Sequence, residues 1–150
     1  MHKRALLIIA LASAALAPIP ALATGRINAT LYKDPSCSCC EAYARYLDRN
    51  GFMVKVIPTP NLEQVTLNAG IPQSLLGCHL TKIDGHIFEG HIPAPVIEKF
   101  LAEHSTAKGL AIAGMPVGLP GMPAMAGMPA QRIEIYRVGT GTPKVFATVH

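Results

Sequence analysis

The apolar positions of the chain change period several times, and each change marks an element. Ile27 to Lys33 alternates roughly every second residue and carries Thr, Leu and Tyr, which predicts a first strand. From Ser38 the spacing lengthens: Ala42, Tyr43, Tyr46 and Leu47 recur at three- and four-residue steps, and Asn50-Gly51 supplies a C-terminal stop. Phe52 to Pro58 returns to the strand pattern. Asn61 is placed to cap a short helix over residues 62–68, ended by Gly70 and Pro72. Gly77 to Ile83 leads into a third strand, Asp84-Gly85 is a strong hairpin turn, and His86 to Glu89 is the return strand. Pro93 then opens a helix whose Val96, Ile97, Phe100 and Leu101 share one face.

This β-α-β-α-β-β-α order predicts an α/β sandwich of thioredoxin-like type rather than an all-helical or all-β plan. Its first β-α-β unit puts the turn at residues 34–38 beyond the carboxyl end of the first strand, where open α/β sheets place ligands. From Gly109 to Pro129 five glycines, four prolines and Met115, Met122, Met125 and Met128 predict a loop or wrapping arm rather than a regular element. Arg132 to Val138 alternates cleanly, and Lys144 to Val149 is its expected partner in a C-terminal β-hairpin. No internal repeat is visible.

The first residues change the picture of the whole. His2-Lys3-Arg4, the apolar run Ala5 to Ala17 and the small-x-small site Ala21-Leu22-Ala23 form the pattern of a secretory signal peptide over residues 1–23. The alternative is an uncleaved anchor, but Pro18 and Pro20 break the run short of the roughly 20 apolar residues that a spanning helix needs. Residues 24–150 then form one domain with a modest core. Losing Lys3 and Arg4 lowers the formal charge from +4 by two. No run of Lys and Arg follows, so nucleic acid is not an expected partner. Nor is stable membrane insertion expected once the signal is removed.

Candidate chemistry concentrates in Pro35-Ser36-Cys37-Ser38-Cys39-Cys40-Glu41, with the fourth cysteine, Cys78, followed by His79. Cys37 and Cys40 have CxxC spacing, which suits a redox dithiol or a soft-metal clamp. The helix start favours their thiolates. The inserted Cys39 favours metal, because a two-electron disulfide needs two sulfurs only. Two structural disulfides are the plain alternative in an oxidising compartment, though adjacent Cys39 and Cys40 pair poorly.

Soft sulfur ligands select Cu(I), zinc or iron–sulfur centres, and the spacing matches no usual ferredoxin pattern. Zinc would take Cys37, Cys40, Cys78 and His79. It leaves Cys39 and the methionines without a use, whereas Cu(I) uses both and can be bridged by sulfur as more than one ion per chain. Copper therefore ranks above zinc. Met53 reads as core filler, and His86, His91, Met125 and Met128 are left open. Glu41 reads as a first-turn helix residue. No serine–histidine–acid set and no phosphate loop can be read from spacing.

Cys37-Ser38-Cys39-Cys40, Gly77-Cys78-His79, Glu89-Gly90-His91-Ile92-Pro93, Lys108-Gly109-Leu110-Ala111, Gly114-Met115-Pro116-Val117-Gly118 and Pro120-Gly121-Met122 occur in this order. The set resembles the small exported family, long labelled a domain of unknown function, to which the CopG-like copper-resistance proteins belong. The resemblance spans nearly the whole chain after the signal. It implies a thioredoxin-like fold, a periplasmic location, copper handling or resistance, and Cu(I) at a cysteine cluster. Carried over by motif, metal ligands fall on Cys37, Cys39, Cys40 and Cys78, the motif histidines on His79 and His91, and the Gly-Met-Pro element on Met115 and Met122. Met125 and Met128 lie outside the family pattern. Expected partners are copper ions and other periplasmic copper-resistance proteins. A thiol or copper oxidoreductase using Cys37 and Cys40 is the alternative function.

Overall fold

The computed structural model describes residues 25–150 apart from Met125 and Thr140. The signal-peptide pattern at 1–23 lies outside the described residues. The elements are β1 (Ile27–Lys33), α1 (Ser38–Arg49), β2 (Phe52–Pro58), α2 (Leu62–Ala69), a 3₁₀ turn (Gln73–Leu75), β3 (His79–Ile83), β4 (His86–Glu89), α3 (Ala94–Ala102), β5 (Gly109–Ile112), β6 (Ile133–Val138) and β7 (Lys144–Val149).

The seven strands among the described residues join one sheet in the order β2-β1-β3-β4-β5-β6-β7. β1 runs parallel to β2 and antiparallel to β3, with Lys33 opposite His79. β3 and β4 form the hairpin that Asp84-Gly85 predicts, and both turn residues have positive φ, 48° and 77°. That is the left-handed backbone a tight two-residue hairpin needs. The β1-α1-β2 unit and the β3-β4-α3 unit together make the expected thioredoxin-like core.

The sheet is covered on both sides, and neighbouring residues of its central strands divide between two clusters. Ala29, Leu31, Ile83, Phe88 and Leu110 pack with Tyr43 and Leu47 of α1 and Ile97 and Phe100 of α3. Leu80, Ile87 and Ala111 point the other way, onto Ile71, Leu75 and partly buried Val65 of α2. Alternate residues of a strand face opposite sides, so central strands covered by helices on both faces lose their polar positions.

Three expectations need correction, the first being Met53, which reads as core filler but is exposed on β2. The Gly109–Pro129 stretch begins as strand β5, whose four residues are all buried between β4 and β6; the arm starts only after Ile112. A Cβ on Gly109 would lie 1.7 Å from the Ile87 carbonyl oxygen, so glycine here permits close strand approach rather than marking a loop. Asn61 stands at the start of α2 as expected, but its side chain makes no capping hydrogen bond.

Candidate metal centre

The cysteine turn is built by local hydrogen bonds. Asp34 Oδ1 accepts from the Ser36 amide at 2.8 Å, and the Cys37 amide donates to the Asp34 carbonyl at 3.1 Å. Cys37 is the N-cap of α1: its backbone is extended and its sulfur accepts from the Cys40 amide at 3.3 Å. The chain therefore changes from turn to helix inside the motif, and all three of its sulfurs gather at one place. Cys37 and Cys40 are joined as a disulfide. Cys39 Sγ lies 3.2 Å from Cys37 Sγ and 3.9 Å from Cys78 Sγ, and Cys40 Sγ lies 3.2 Å from Cys78 Sγ. The four sulfurs all fall within 4.8 Å of one another.

Cys78 closes the cluster from the loop before β3, tied to the end of β1 by the Asp34 amide on its carbonyl at 3.2 Å. Below the turn, the buried Lys33 ammonium donates to the Pro35 carbonyl at 3.1 Å and pairs with Glu41 at 3.3 Å. Lys33 thus braces the motif from both ends, and Glu41 faces this cation.

A second donor set shares Cys78. His79 Nε2 meets the Gly90 carbonyl at 3.0 Å, and His91 Nδ1 meets the Pro120 carbonyl at 2.7 Å. A carbonyl only accepts, so each of those nitrogens carries the proton. Burial holds the His79 pKa down to about 3 and also lowers that of His91, which keeps both rings neutral near pH 7. The opposite nitrogens are therefore bare lone pairs, and both face Cys78: His79 Nδ1 at 3.6 Å and His91 Nε2 at 3.8 Å. A backbone carbonyl fixing the tautomer of a ligating imidazole is the usual supporting arrangement at metal sites. Tyr43 walls this half, its ring centroid 4.7 Å from His79 and 5.0 Å from His91, with its hydroxyl donating to the Ile92 carbonyl at 2.8 Å.

The Gly-Met-Pro arm crosses the start of α1. Gly121 has φ +80°, and a Cβ there would lie 2.8 Å from the Tyr43 nitrogen and 3.0 Å from the Cys39 carbonyl oxygen. Only glycine lets the arm lie against the helix backbone while keeping that left-handed conformation. Pro120, just before it, supplies the carbonyl that orients His91. Met122 is half-buried on the core, in a small turn closed by Gly118 N–H on the Met122 carbonyl at 2.7 Å. Met115 is exposed and lines a cleft of about 610 Å³ with Cys37, Cys39 and Cys78. Met128 sits in a separate pocket with Val117 and His150, and Met125 lies outside the described residues. His86 is occupied elsewhere, near the Ala107 carbonyl at 3.1 Å and against the Phe100 ring.

Spacing alone leaves His91 open, with only the family motif pointing to it, and gives no sign of Glu89. His91 is twelve residues after His79 along the chain, and only the β3–β4 hairpin brings their rings to a centroid separation of 4.8 Å. Glu89 is wholly buried at the end of β4, where burial raises its pKa to about 8. The tetrad of cysteines and the histidine pair together offer soft sulfur and neutral nitrogen to one small volume. That donor chemistry fits a thiophilic metal and offers nothing to a hard cation.

The fold and this cysteine–histidine constellation define a thioredoxin-like metal-binding protein. The sequence profile of the family described as "Protein of unknown function, DUF411" matches residues 75–122. A solved structure of copper resistance protein CopG, form 2, is 32% identical, with a TM-score of 0.75, covering 83% of this chain and 99% of that one. Form 1 of the same protein is 33% identical, with a TM-score of 0.74, covering 83% and 98%. No curated protein matches the chain. The chain belongs to the CopG family.

Proposed function

We propose that this chain is a periplasmic copper-binding protein that captures Cu(I) as a multinuclear cysteine-thiolate cluster and so serves copper resistance or homeostasis. The observation that carries this reading is the convergence of all four sulfurs, Cys39 included, within 4.8 Å. A plain dithiol has no use for Cys39 and Cys78 at that place, whereas several cuprous ions need bridging sulfurs. Reduction of the Cys37–Cys40 disulfide supplies two of the four thiolates. His79 and His91 add neutral nitrogen beside Cys78, Met115 offers a thioether at the solvent side of the cleft, and Met122 lies in the covering arm. The CopG relatives, named for copper resistance, support copper over zinc as the cargo.

On this reading residues 1–23 direct export and are removed, and residues 24–150 work in the periplasm alongside other copper-resistance proteins. Among the described residues no helix is long and apolar enough to cross a membrane. The test is metal analysis of protein isolated anaerobically and under reducing conditions from the periplasm. Two or more copper ions per chain support the cluster, and one tightly held zinc contradicts it.

The Cys37–Cys40 disulfide favours a second reading, a thiol or copper oxidoreductase. Two cupric ions would each take one electron from the dithiolate, leaving the disulfide and two Cu(I). Disulfide reductase activity that persists without copper and vanishes in Cys37→Ser would instead establish thiol turnover.

A further inference from the structure

Glu89 has no place in the donor set, yet it is wholly buried beside it. Its Oε1 accepts a short hydrogen bond, 2.6 Å, from the Gly77 amide, the residue immediately before Cys78. Its Oε2 has no hydrogen-bond partner among the described residues. A buried carboxyl with one idle oxygen is a poor choice for filling space, because its desolvation is only half offset and an apolar side chain of similar size would pack at lower cost. The contact at Gly77 is also tight: a Cβ there would lie 3.0 Å from Glu89 Oε1, so glycine keeps the peptide within reach of the carboxyl. From the same strand end, Gly90 N–H donates to the His79 carbonyl at 3.3 Å. Glu89 therefore stands where the loop carrying Cys78 meets the loop carrying His91.

We infer that Glu89 is a positioning residue for Cys78. Its carboxyl latches the Gly77 amide and holds the Cys78 sulfur at the point shared by the four-sulfur group and the two imidazole lone pairs. Without the latch the 76–77 peptide, which carries the Gly77 N–H, is free to turn. Cys78 then leaves the junction, while the three sulfurs of the α1 turn, built from their own local hydrogen bonds, stay in place. The copper consequence rests on the function proposed above; the latch itself does not.

The test uses the whole mature chain, with Glu89→Met as a similar-sized side chain lacking the acceptor and Glu89→Gln as one retaining it; Glu89→Leu replaces the Met variant should that not fold. Reduced proteins are titrated anaerobically with Cu(I) against a colorimetric Cu(I) chelator, following ions bound and the Cu(I)–thiolate absorbance. The Met variant is expected to fall to the count and absorbance of Cys78→Ser, the Gln variant to match the parent, and the Glu89→Met/Cys78→Ser double variant to lose no more than Cys78→Ser alone. Parent-like copper binding in the Met variant, beside a loss in Cys78→Ser, overturns the inference. A double variant worse than Cys78→Ser overturns it too.

A copper-free readout separates this from failure of the copper reading. With Cys37, Cys39 and Cys40 replaced by Ser, the reaction of Cys78 with a thiol reagent is expected to speed up several-fold in the Met variant and stay at the parent rate in the Gln variant. Equal rates in all three refute the latch whether or not the protein binds copper.

Discussion

Two buried groups in the metal-free, disulfide-bonded chain oppose each other in pH, and their balance sets a stability optimum. His79 is held neutral down to about 3, against 6.5 for a free imidazole, because burial penalises its charged form. Between those values the unfolded chain binds a proton that the folded chain refuses, so stability is lost as pH falls below 6.5. Glu89 keeps its proton up to about 8, against 4.5 when free, again through burial. The folded chain now holds a proton that the unfolded chain has released, and stability is lost as pH rises from 4.5 towards 8. From 4.5 to 6.5 the two slopes cancel, and His91, also lowered by burial, tilts that interval in favour of its upper end.

Above 6.5 Glu89 acts alone over about one and a half pH units, a loss of about 2 kcal/mol by pH 8. Below 4.5 His79 acts without the opposing slope of Glu89, with a similar loss by pH 3, and Asp34, lowered by its hydrogen bonds to Ser36, adds to the decline. Cys78, pushed up to about 12 mainly by burial and then by Cys39, extends the decline above 9. Against a typical domain stability of about 5–15 kcal/mol, such a fall is readily measured. Urea unfolding of the metal-free protein from pH 4 to 9 should peak near pH 6. In Glu89→Gln the fall between 6.5 and 8 should vanish. A parent whose stability is flat or rising over that interval, or a Gln variant that keeps the fall, would refute the reasoning.

Gly121→Ala forces a left-handed alanine, at about 1–2 kcal/mol, and drives its Cβ into the Tyr43 and Cys39 backbone, so the arm should lift from α1. Faster hydrogen exchange at the Met122 amide together with a lower urea midpoint would register this; parent-like exchange would contradict the packing described. Tyr43→Phe removes the hydroxyl that donates to the buried Ile92 carbonyl and should cost about 1–3 kcal/mol. The number of copper ions bound per reduced chain should not change, since the phenol oxygen is engaged with that carbonyl and belongs to neither donor group.

Elements with a clean period were legible in the sequence. β1, α1, β2, the Asp84-Gly85 hairpin and the β6–β7 pair fall within a residue or two of where patterning puts them. β5 was not, for a physical reason: four residues buried on both faces have no polar alternation, and Gly109, which reads as a breaker, is there so that Ile87 can come close. Asn61 had the right chemistry for a cap and the right position, but position alone does not aim a side chain.

At the site, Cys37, Cys39 and Cys40 could be seen to converge because the grouping is local, made by one turn entering one helix. The nearness of His79 to His91 depends on hairpin register, and Glu89 on a bond to a backbone amide twelve residues away, neither of which leaves a periodic trace. The methionines were the hardest to rank from sequence. Gly and Pro neighbours alone make Met115, Met122 and Met128 look alike, and only the family resemblance singles out Met115 and Met122; the folded arm puts Met115 in the sulfur cleft and Met128 in another pocket.

The central claim is that Cys39 belongs to the metal centre and is not a bystander to a CxxC dithiol. Its sulfur stands 3.2 Å from Cys37 and 3.9 Å from Cys78, between the α1 turn and the β3 loop. The most direct measurement is Cu(I) titration of Cys39→Ser beside the parent, both fully reduced and anaerobic, with circular dichroism to establish that the fold is kept. The account predicts fewer copper ions per chain in the variant at an unchanged fold. Equal stoichiometry and equal affinity in the two proteins would contradict it and leave the dithiol or a single-metal site in its place.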